Sequence, residues 1–348
     1  MKGPDVISFE GVAVKFGDFT AIPDLNLEIN EGEFFTLLGP SGSGKTTALR
    51  TLAGFNIPAA GTVNLNGRDI TRELPEKRGI GMVFQNYALY PTMNVFENIA
   101  FGLRVKKVKD PEVATKVDAA ADRVGLTRDQ LTKSVAALSG GQQQRVAIAR
   151  ALVLEPDILL LDEPLSNLDA KLRIRLRHQL KDLQNSLGIT TVYVTHDQDE
   201  ALTMSDRIAV FNLGRIEQVG TPRDIYDASA TDFVSGFIGD RSIINPGLLA
   251  RLDVPATIDP TRPAVIRADK PLLIVGTDET RGLPGVVTSL RYYGRHTEYE
   301  VRMFDSDVRL LHKEDGRTHA EVGDAVQVLI DPRFLRQYAE APKLEDES

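Results

Sequence analysis

Apolar and polar residues alternate from Val6 to Phe16, and the alternation returns in "LNLEIN" (residues 25–30) and "GTVNLNG" (61–67), a period of two that predicts half-buried strands of an antiparallel layer. Three other runs do not alternate. "FFTLLG" (34–39), "DILLLDEP" (157–164) and "TTVYVTHD" (190–197) are almost continuously apolar before they end, as in strands buried on both faces of a parallel sheet. Helical spacing fills the gaps between them. "TTALRTLAG" follows the first buried run, "DPEVATKVDAAADRVGL" (110–126) carries a Pro near its start, and "AKLRIRLRHQLKDLQNSLG" (170–188) sets Leu172, Leu176, Leu180, Leu183 and Leu187 on one face. Arg173, Arg175 and Arg177 of that helix read as a solvated basic face.

The expected architecture is α/β: a core of parallel strands and helices, an added antiparallel β layer, and a helical subdomain inserted at about 86–150. Composition shifts after about Asp240. "NPGLLARLDVPATIDPTRP" is rich in Pro and turn residues. "GVVTSLRYYG", "TEYEVRMF", "DVRLLH" and "DAVQVLID" then alternate as short strands of a small β-barrel, which resembles an oligonucleotide-binding barrel in outline. The expected division is 1–240 for the first domain, 241–340 for the barrel, and 341–348 for an acidic, disordered tail.

Strand, glycine loop and helix meet at "GPSGSGKTT". Gly39, Gly44, Lys45 and Thr46 satisfy G-x-x-x-x-G-K-[ST], and Ser41, Gly42, Ser43 and Thr47 complete a loop whose backbone N–H groups close around phosphates. Lys45 supplies a point charge and the Thr46 hydroxyl a Mg²⁺ ligand. Asp162, at the end of a buried strand, can hold the same ion, while Glu163 beside it can orient or deprotonate water. His196 ends another buried strand, at the sheet edge where α/β proteins bind ligands. A second glycine-bearing helix start, "LSGGQQQR", offers Ser139, Gly140, Gly141 and Gln142 in the manner of an anion site.

A formal charge of -8 argues against a whole-chain fit to nucleic acid, although "SLRYYGRHTEY" mixes Arg with Tyr as single-strand binders do. The absence of cysteine excludes disulfides and thiolate chemistry and suits a reducing compartment. The five His are too scattered for a metal motif. There is no secretory h-region at the N-terminus and no apolar run long enough to span a membrane, so any membrane role requires another polypeptide.

These residues resemble the nucleotide-binding subunits of ATP-binding cassette transporters. "LSGGQQQR" is similar to that family's signature motif, and GPSGSGKTT, Gln85 in "VFQN", ILLLDEP, "SNLD" and His196 occur in its order and approximate spacing. The C-terminal β region looks like the regulatory, TOBE-like domain of importer subunits. The resemblance implies a head-to-tail homodimer binding ATP and Mg²⁺, in which Ser139 and Gly141 of one copy close over the γ-phosphate held by Lys45 of the other. It also implies that Phe16 stacks on adenine, standing where Tyr is common, and that Gln85 senses Mg²⁺ and couples to the membrane subunit. His196 then contacts the γ-phosphate, and Asp169 lies at the dimer interface. Ser43 stands where many relatives have Cys, a position expected to contribute mainly backbone.

In "NYALYPTMNVFENIAFGL", Tyr87, Leu89, Tyr90 and Met93 are expected to be exposed in a groove that receives a transmembrane partner. The implied protein is an importer ATPase at the cytoplasmic membrane face, served by permease subunits and indirectly by an extracytoplasmic solute-binding protein, with no nucleic acid expected. Its strings look most like the polyamine and ferric-iron branches, polyamine favoured, with sugar and phosphonate importers sharing most of them. A soluble cassette ATPase of DNA repair or translation is the rival, but the long coiled-coil insertions or tandem cassettes usual there are lacking. A small-molecule P-loop kinase leaves LSGGQQQR unexplained.

Overall fold

The computed structural model describes residues 5–274, 282–314, 316 and 319–339, so the acidic tail lies outside the described residues. Two compact units divide the chain, Met1–Ile225 and Tyr226–Ser348. The division falls before the composition shift at Asp240. Its physical reason is Arg267, whose buried guanidinium donates to the carbonyls of Tyr226, Ser235 and Gly239 and gathers that segment into the second unit.

The first unit runs β1 (Asp5–Phe16), β2 (Phe19–Asn30), β3 (Phe34–Leu38), α1 (Lys45–Ala53), β4 (Ala60–Leu65), β5 (Arg68–Asp69), β6 (Ile80–Val83), α2 (Val95–Val105), α3 (Asp110–Arg123), α4 (Arg128–Leu131), α5 (Gly140–Leu152), β7 (Ile158–Asp162), α6 (Ala170–Leu187), β8 (Thr190–Thr195), α7 (Gln198–Met204), β9 (Arg207–Asn212) and β10 (Arg215–Gly220), and the boundary falls within α8 (Pro222–Asp227). One sheet has the order β10-β9-β3-β8-β7-β6, parallel from β9 to β6 with only β10 antiparallel. Every residue of β3, β7 and β8 is buried, which is why these strands read as unbroken apolar runs. The alternating segments form the separate antiparallel sheet β2-β1-β4-β5. Both sheets contribute to one core, in which Ile7, Val14, Ile22 and Ile29 meet Leu37, Leu49 and Leu160.

Helices α2 to α5 bury a core of their own, centred on Ile99, Val117 and Val146. Asn94 opens α2 by accepting from Glu97 N–H, and Glu97 accepts from Asn94 N–H in return. On α6, Leu176 and Leu180 are buried, as the apolar stripe predicts. The arginines differ from expectation: Arg175 is exposed, but Arg177 is buried and Arg173 half-buried, both reaching Asp197.

The second unit holds α9 (Asp232–Phe237), β11 (Arg241–Ile244), α10 (Pro246–Leu249), β12 (Ala264–Arg267), β13 (Leu272–Ile274), β14 (Leu283–Tyr292), β15 (His296–Met303), β16 (Ser306–Lys313) and β17 (Ala325–Leu329). Five of its strands make an antiparallel sheet, β13-β17-β14-β15-β16, curled so that its two edges approach. Val287, Tyr299, Val301, Leu310 and Val328 fill the concave side. This is the small barrel-like domain that the alternating strands predict. At the β14–β15 turn Tyr293 stacks on His296 at 5.0 Å and Arg291 pairs with Glu298.

Candidate functional site

The loop between β3 and α1 carries the first glycine motif. Gly44 has φ 103°, and a Cβ at Gly39 would lie 2.3 Å from the Phe211 carbonyl oxygen, so a side chain at either position is excluded. Lys45 is 4% exposed, yet its Nζ donates to the carbonyls of Gly39 and Pro40, both at 2.7 Å. Burial lowers its pKa, and the nearby charges of Glu163 and Asp162 act in the opposite direction. A buried cation with only neutral oxygens in contact is an electrostatic fit to a polyphosphate. Ser43 is buried with its hydroxyl 3.5 Å from Lys45 Nζ.

Thr46 Oγ1 donates to Asp162 Oδ1 at 2.9 Å, which joins the hydroxyl and the carboxylate that a Mg²⁺ ion would share. Asp162 is 3% exposed and burial raises its pKa, an unfavourable state for an anion that a divalent cation would relieve. Oxygen donors of this kind fit Mg²⁺.

Glu163 follows in a left-handed conformation, φ 44°, at a cost of roughly 1–2 kcal/mol for a residue with a Cβ. Its N–H donates to Val194 O on the neighbouring strand, and Ser166 Oγ donates to its carbonyl. The strained backbone thereby turns the carboxylate towards two partners. His196 Nδ1 lies 3.2 Å from Glu163 Oε2, and Gln85 Nε2 donates to the same oxygen at 3.3 Å. The three residues expected to act in hydrolysis thus meet around one carboxylate oxygen. Beside them an open cleft of about 440 Å³ is lined by Arg50, Phe84, Gln85, Asn86, Ala88, Asp162 and Asn167.

The remaining predicted residues lie apart from this group. Phe16 is 51% exposed at the tip of the β1–β2 hairpin. Ser139 and Gly140 are exposed at the start of α5, where Ser139 N–H donates to Gln142 Oε1. None of Ser139–Gln142 hydrogen-bonds to Gly39–Thr47 of the same chain. Asp169 is exposed and caps α6 by accepting from Leu172 N–H at 2.9 Å.

One expectation fails in the segment after Gln85. Tyr87 and Ala88 are both left-handed, φ 61° and 46°, and Arg150 holds both of their carbonyls. That turn sends Tyr87 inwards to 6% exposure, and Leu89 and Met93 are only partly exposed. Tyr90 alone of the four is exposed, packed on Phe101 at 4.6 Å, with its backbone fixed by Asn98.

Several supporting residues escape sequence reasoning. Arg78, 2% exposed, donates to the Thr51 and Leu52 carbonyls at the end of α1 and to Glu73 O, holding the phosphate-loop helix from behind. Buried Glu200 accepts from Tyr193 and Thr195, both at 2.7 Å, and burial raises its pKa against those hydrogen bonds. Only the D-x-x-E spacing of Asp197 and Glu200, a helix-start signal, marks this group in the sequence.

The family pattern described as ABC transporter matches residues 22–166, and that of the TOBE domain matches 262–336. Over 92% of its length the chain is 43% identical to the Fe(3+) ions import ATP-binding protein FbpC of Agrobacterium fabrum, covering 94% of that protein. The chain belongs to the ABC transporter ATP-binding proteins. Another member of the family, the spermidine/putrescine import ATP-binding protein PotA of Bacteroides fragilis, is 45% identical over 95% of this chain and 73% of its own length. Among solved structures, cbiO1 of Clostridium perfringens, part of an ABC transporter complex, superposes with a TM-score of 0.60 at 31% identity, covering 64% of this chain and 90% of that one. A dimeric ATP-binding cassette bound to ADP and Pi gives 0.56 at 34% identity, over 62% and 99% of the two chains. Binding and hydrolysis of ATP come with membership of this ABC family.

Proposed function

We propose that this chain is the ATPase subunit of an ABC importer, working as a homodimer at the cytoplasmic membrane face with permease subunits, supplied by an extracytoplasmic binding protein. The observation that carries the reading is the meeting of Gln85, Glu163 and His196 beside the Thr46–Asp162 pair, close to the loop that carries Lys45. Lys45 exchanges its carbonyl partners for the β and γ oxygens of ATP. Thr46, Asp162 and Gln85 would hold Mg²⁺, which when bound offsets the phosphate charge. Glu163 orients water and accepts its proton, and His196, whose Nδ1 lies 3.2 Å from Glu163 Oε2, contacts the γ-phosphate. Phe16 stacks on adenine, and Ser41, Gly42, Ser43, Gly44 and Thr47 complete the loop around the phosphates. Ser139, Gly140, Gly141 and Gln142 of the second copy close the site, with Asp169 at the same interface. No helix among the described residues is long and apolar enough to cross a membrane, which is compatible with separate permease subunits.

Glu163→Gln should lower turnover by about a hundredfold or more while ATP binding persists. Normal turnover in steady-state hydrolysis by that variant removes Glu163 from its role.

The favoured solute is a polyamine, since relatives named for spermidine/putrescine import stand beside those named for Fe(3+) import. The test is purification of the chain from detergent-solubilised membranes, followed by uptake of labelled spermidine and of ferric iron in cells lacking it. A co-purifying multi-span protein and loss of spermidine uptake alone support the reading. Loss of iron uptake alone moves the solute to ferric iron, and recovery of ribosomes or nucleic acid without membrane protein overturns the importer. Tyr90, exposed beside the Gln85 cleft, is the proposed permease contact. Tyr90→Ala should therefore reduce uptake at least tenfold and leave basal hydrolysis within about twofold; loss of both counts against that contact.

A further inference from the structure

We infer that Arg173 is a positioning residue that ties the turn at Leu168 and Asp169 to the turn carrying His196. It stands in the first turn of α6. Its Nη2 donates to the Leu168 carbonyl at 3.1 Å, and its Nη1 to Asp197 Oδ2 at 3.3 Å. Its Nε–H is buried without an acceptor, so the fork spans two segments instead of closing on one carboxylate. Arg177, one helical turn on and 8% exposed, approaches the same Asp197 oxygen at 3.7 Å.

Asp197 is the residue after His196. Its Oδ1 accepts from Glu200 N–H, and its own N–H donates to Thr195 Oγ1, whose hydroxyl donates to the buried Glu200 carboxylate. Both neighbours of His196 are therefore fixed from below, whereas the imidazole, 54% exposed, has the Glu163 carboxylate 3.2 Å from its Nδ1. Its aim is set by the backbone that Thr195 and Asp197 hold. At the other end of the fork, Asn167 Nδ2 donates to Gln85 O and Ser166 Oγ to Glu163 O. A shift of the Leu168–Asp169 turn, as a second copy packs against it, thus reaches Gln85, Glu163 and, through Arg173, His196. A lysine cannot serve both ends, because one ammonium has no fork to span them.

The inference rests on the reading of Glu163 and His196 as the hydrolytic pair, and the experiment separates the two. Steady-state hydrolysis, thermal melting and ¹⁵N-histidine spectra are measured on the full chain and on Arg173→Met, Arg173→Lys, Asp197→Asn, the Arg173→Met/Asp197→Asn double variant and Glu163→Gln. Turnover at saturating ATP should fall about tenfold in Arg173→Met with KM for ATP within about twofold, since Lys45 and its loop are untouched. The His196 imidazole signals should move, Arg173→Lys should restore less than half of the turnover, and the double variant should fall no further than either single one. Unchanged turnover and unmoved His196 signals in Arg173→Met, or losses that simply add, overturn the inference. Should Arg173→Met not fold, Arg173→Lys decides alone: full turnover there overturns it, and reduced turnover with an unchanged melting temperature supports it. Normal turnover in Glu163→Gln overturns the hydrolytic reading instead, whatever Arg173 does.

Discussion

Two stretches of this molecule present glycines at the head of a helix, Gly39–Thr47 before α1 and Ser139–Gln142 at α5, and the chain finishes only one of them. At α1 a buried lysine, a hydroxyl and a desolvated carboxylate surround the loop. At α5 the first residues are exposed, Gln142 turns back onto Ser139, and the nearest cation in sequence, Arg145, is spent on Gly125 O and Gln179. A helix N-terminus carries only about half a charge and holds an anion weakly unaided. On the proposed reading, the difference teaches that the second stretch is half of a site, useful when another body brings the phosphate already bound to a cation. In a head-to-tail homodimer that body is the Lys45 loop of the second copy.

The comparison breaks first on affinity. Lys45→Met should weaken ATP binding by on the order of a hundredfold, because a charged hydrogen-bond partner of the phosphates is lost from a buried site. Ser139→Ala should leave the affinity of the isolated chain within about twofold, its hydroxyl having no phosphate within its own chain. Titration with a fluorescent ATP analogue at low protein concentration measures both. Equal losses would mean that both stretches serve one intramolecular site.

A smaller effect concerns closure. In the Glu163→Gln background, where bound ATP persists, ATP should drive dimer formation visible by sedimentation, and Ser139→Tyr should weaken that dimer by about tenfold or more by filling the space above the γ-phosphate. Dimers of undiminished strength in the doubly substituted chain would remove Ser139 from the interface.

These two stretches also show what a sequence discloses. Gly39, Lys45, Thr46, Asp162 and Glu163 are legible because residue type and spacing alone state their chemistry, and β3, β7 and β8 because burial on both faces erases their alternation. Ser139 and Gly141 are legible as an anion site, but whose anion they hold comes only from the family resemblance. Arg173 and Arg177 misled because a helix repeat fixes which residues share a face and says nothing about what the start of α7 sets opposite it; Asp197 is 24 residues beyond Arg173 in the chain. Tyr87 misled through backbone geometry, since two successive left-handed residues reverse its side chain inwards and the distant Arg150 holds their carbonyls. Arg78 shows the same limit, its acceptors being backbone carbonyls at the end of α1, which no side-chain pattern records.

The smallest expected effect tests whether the Lys45 loop holds a charge that the folded chain alone does not neutralise. Burial lowers the Lys45 pKa below 10.5 in the native state, while the unfolded chain keeps the ordinary value. Between the two values the unfolded chain binds a proton that the native chain does not, so stability rises with pH through that window. Above 10.5 both forms are neutral and the rise stops; below the native value the full penalty of a buried ammonium stands. Other lysines titrate in the same range, so the quantity to measure is the difference between the native sequence and Lys45→Met in urea unfolding, followed from pH 8 to pH 10.5 without nucleotide. The native sequence should gain on the variant as pH rises, and saturating ATP, whose phosphates compensate the charge, should reverse the order at pH 8. A difference that is flat with pH would mean that the Gly39 and Pro40 carbonyls already satisfy Lys45, and that the loop's preference for phosphate comes from its backbone N–H groups alone.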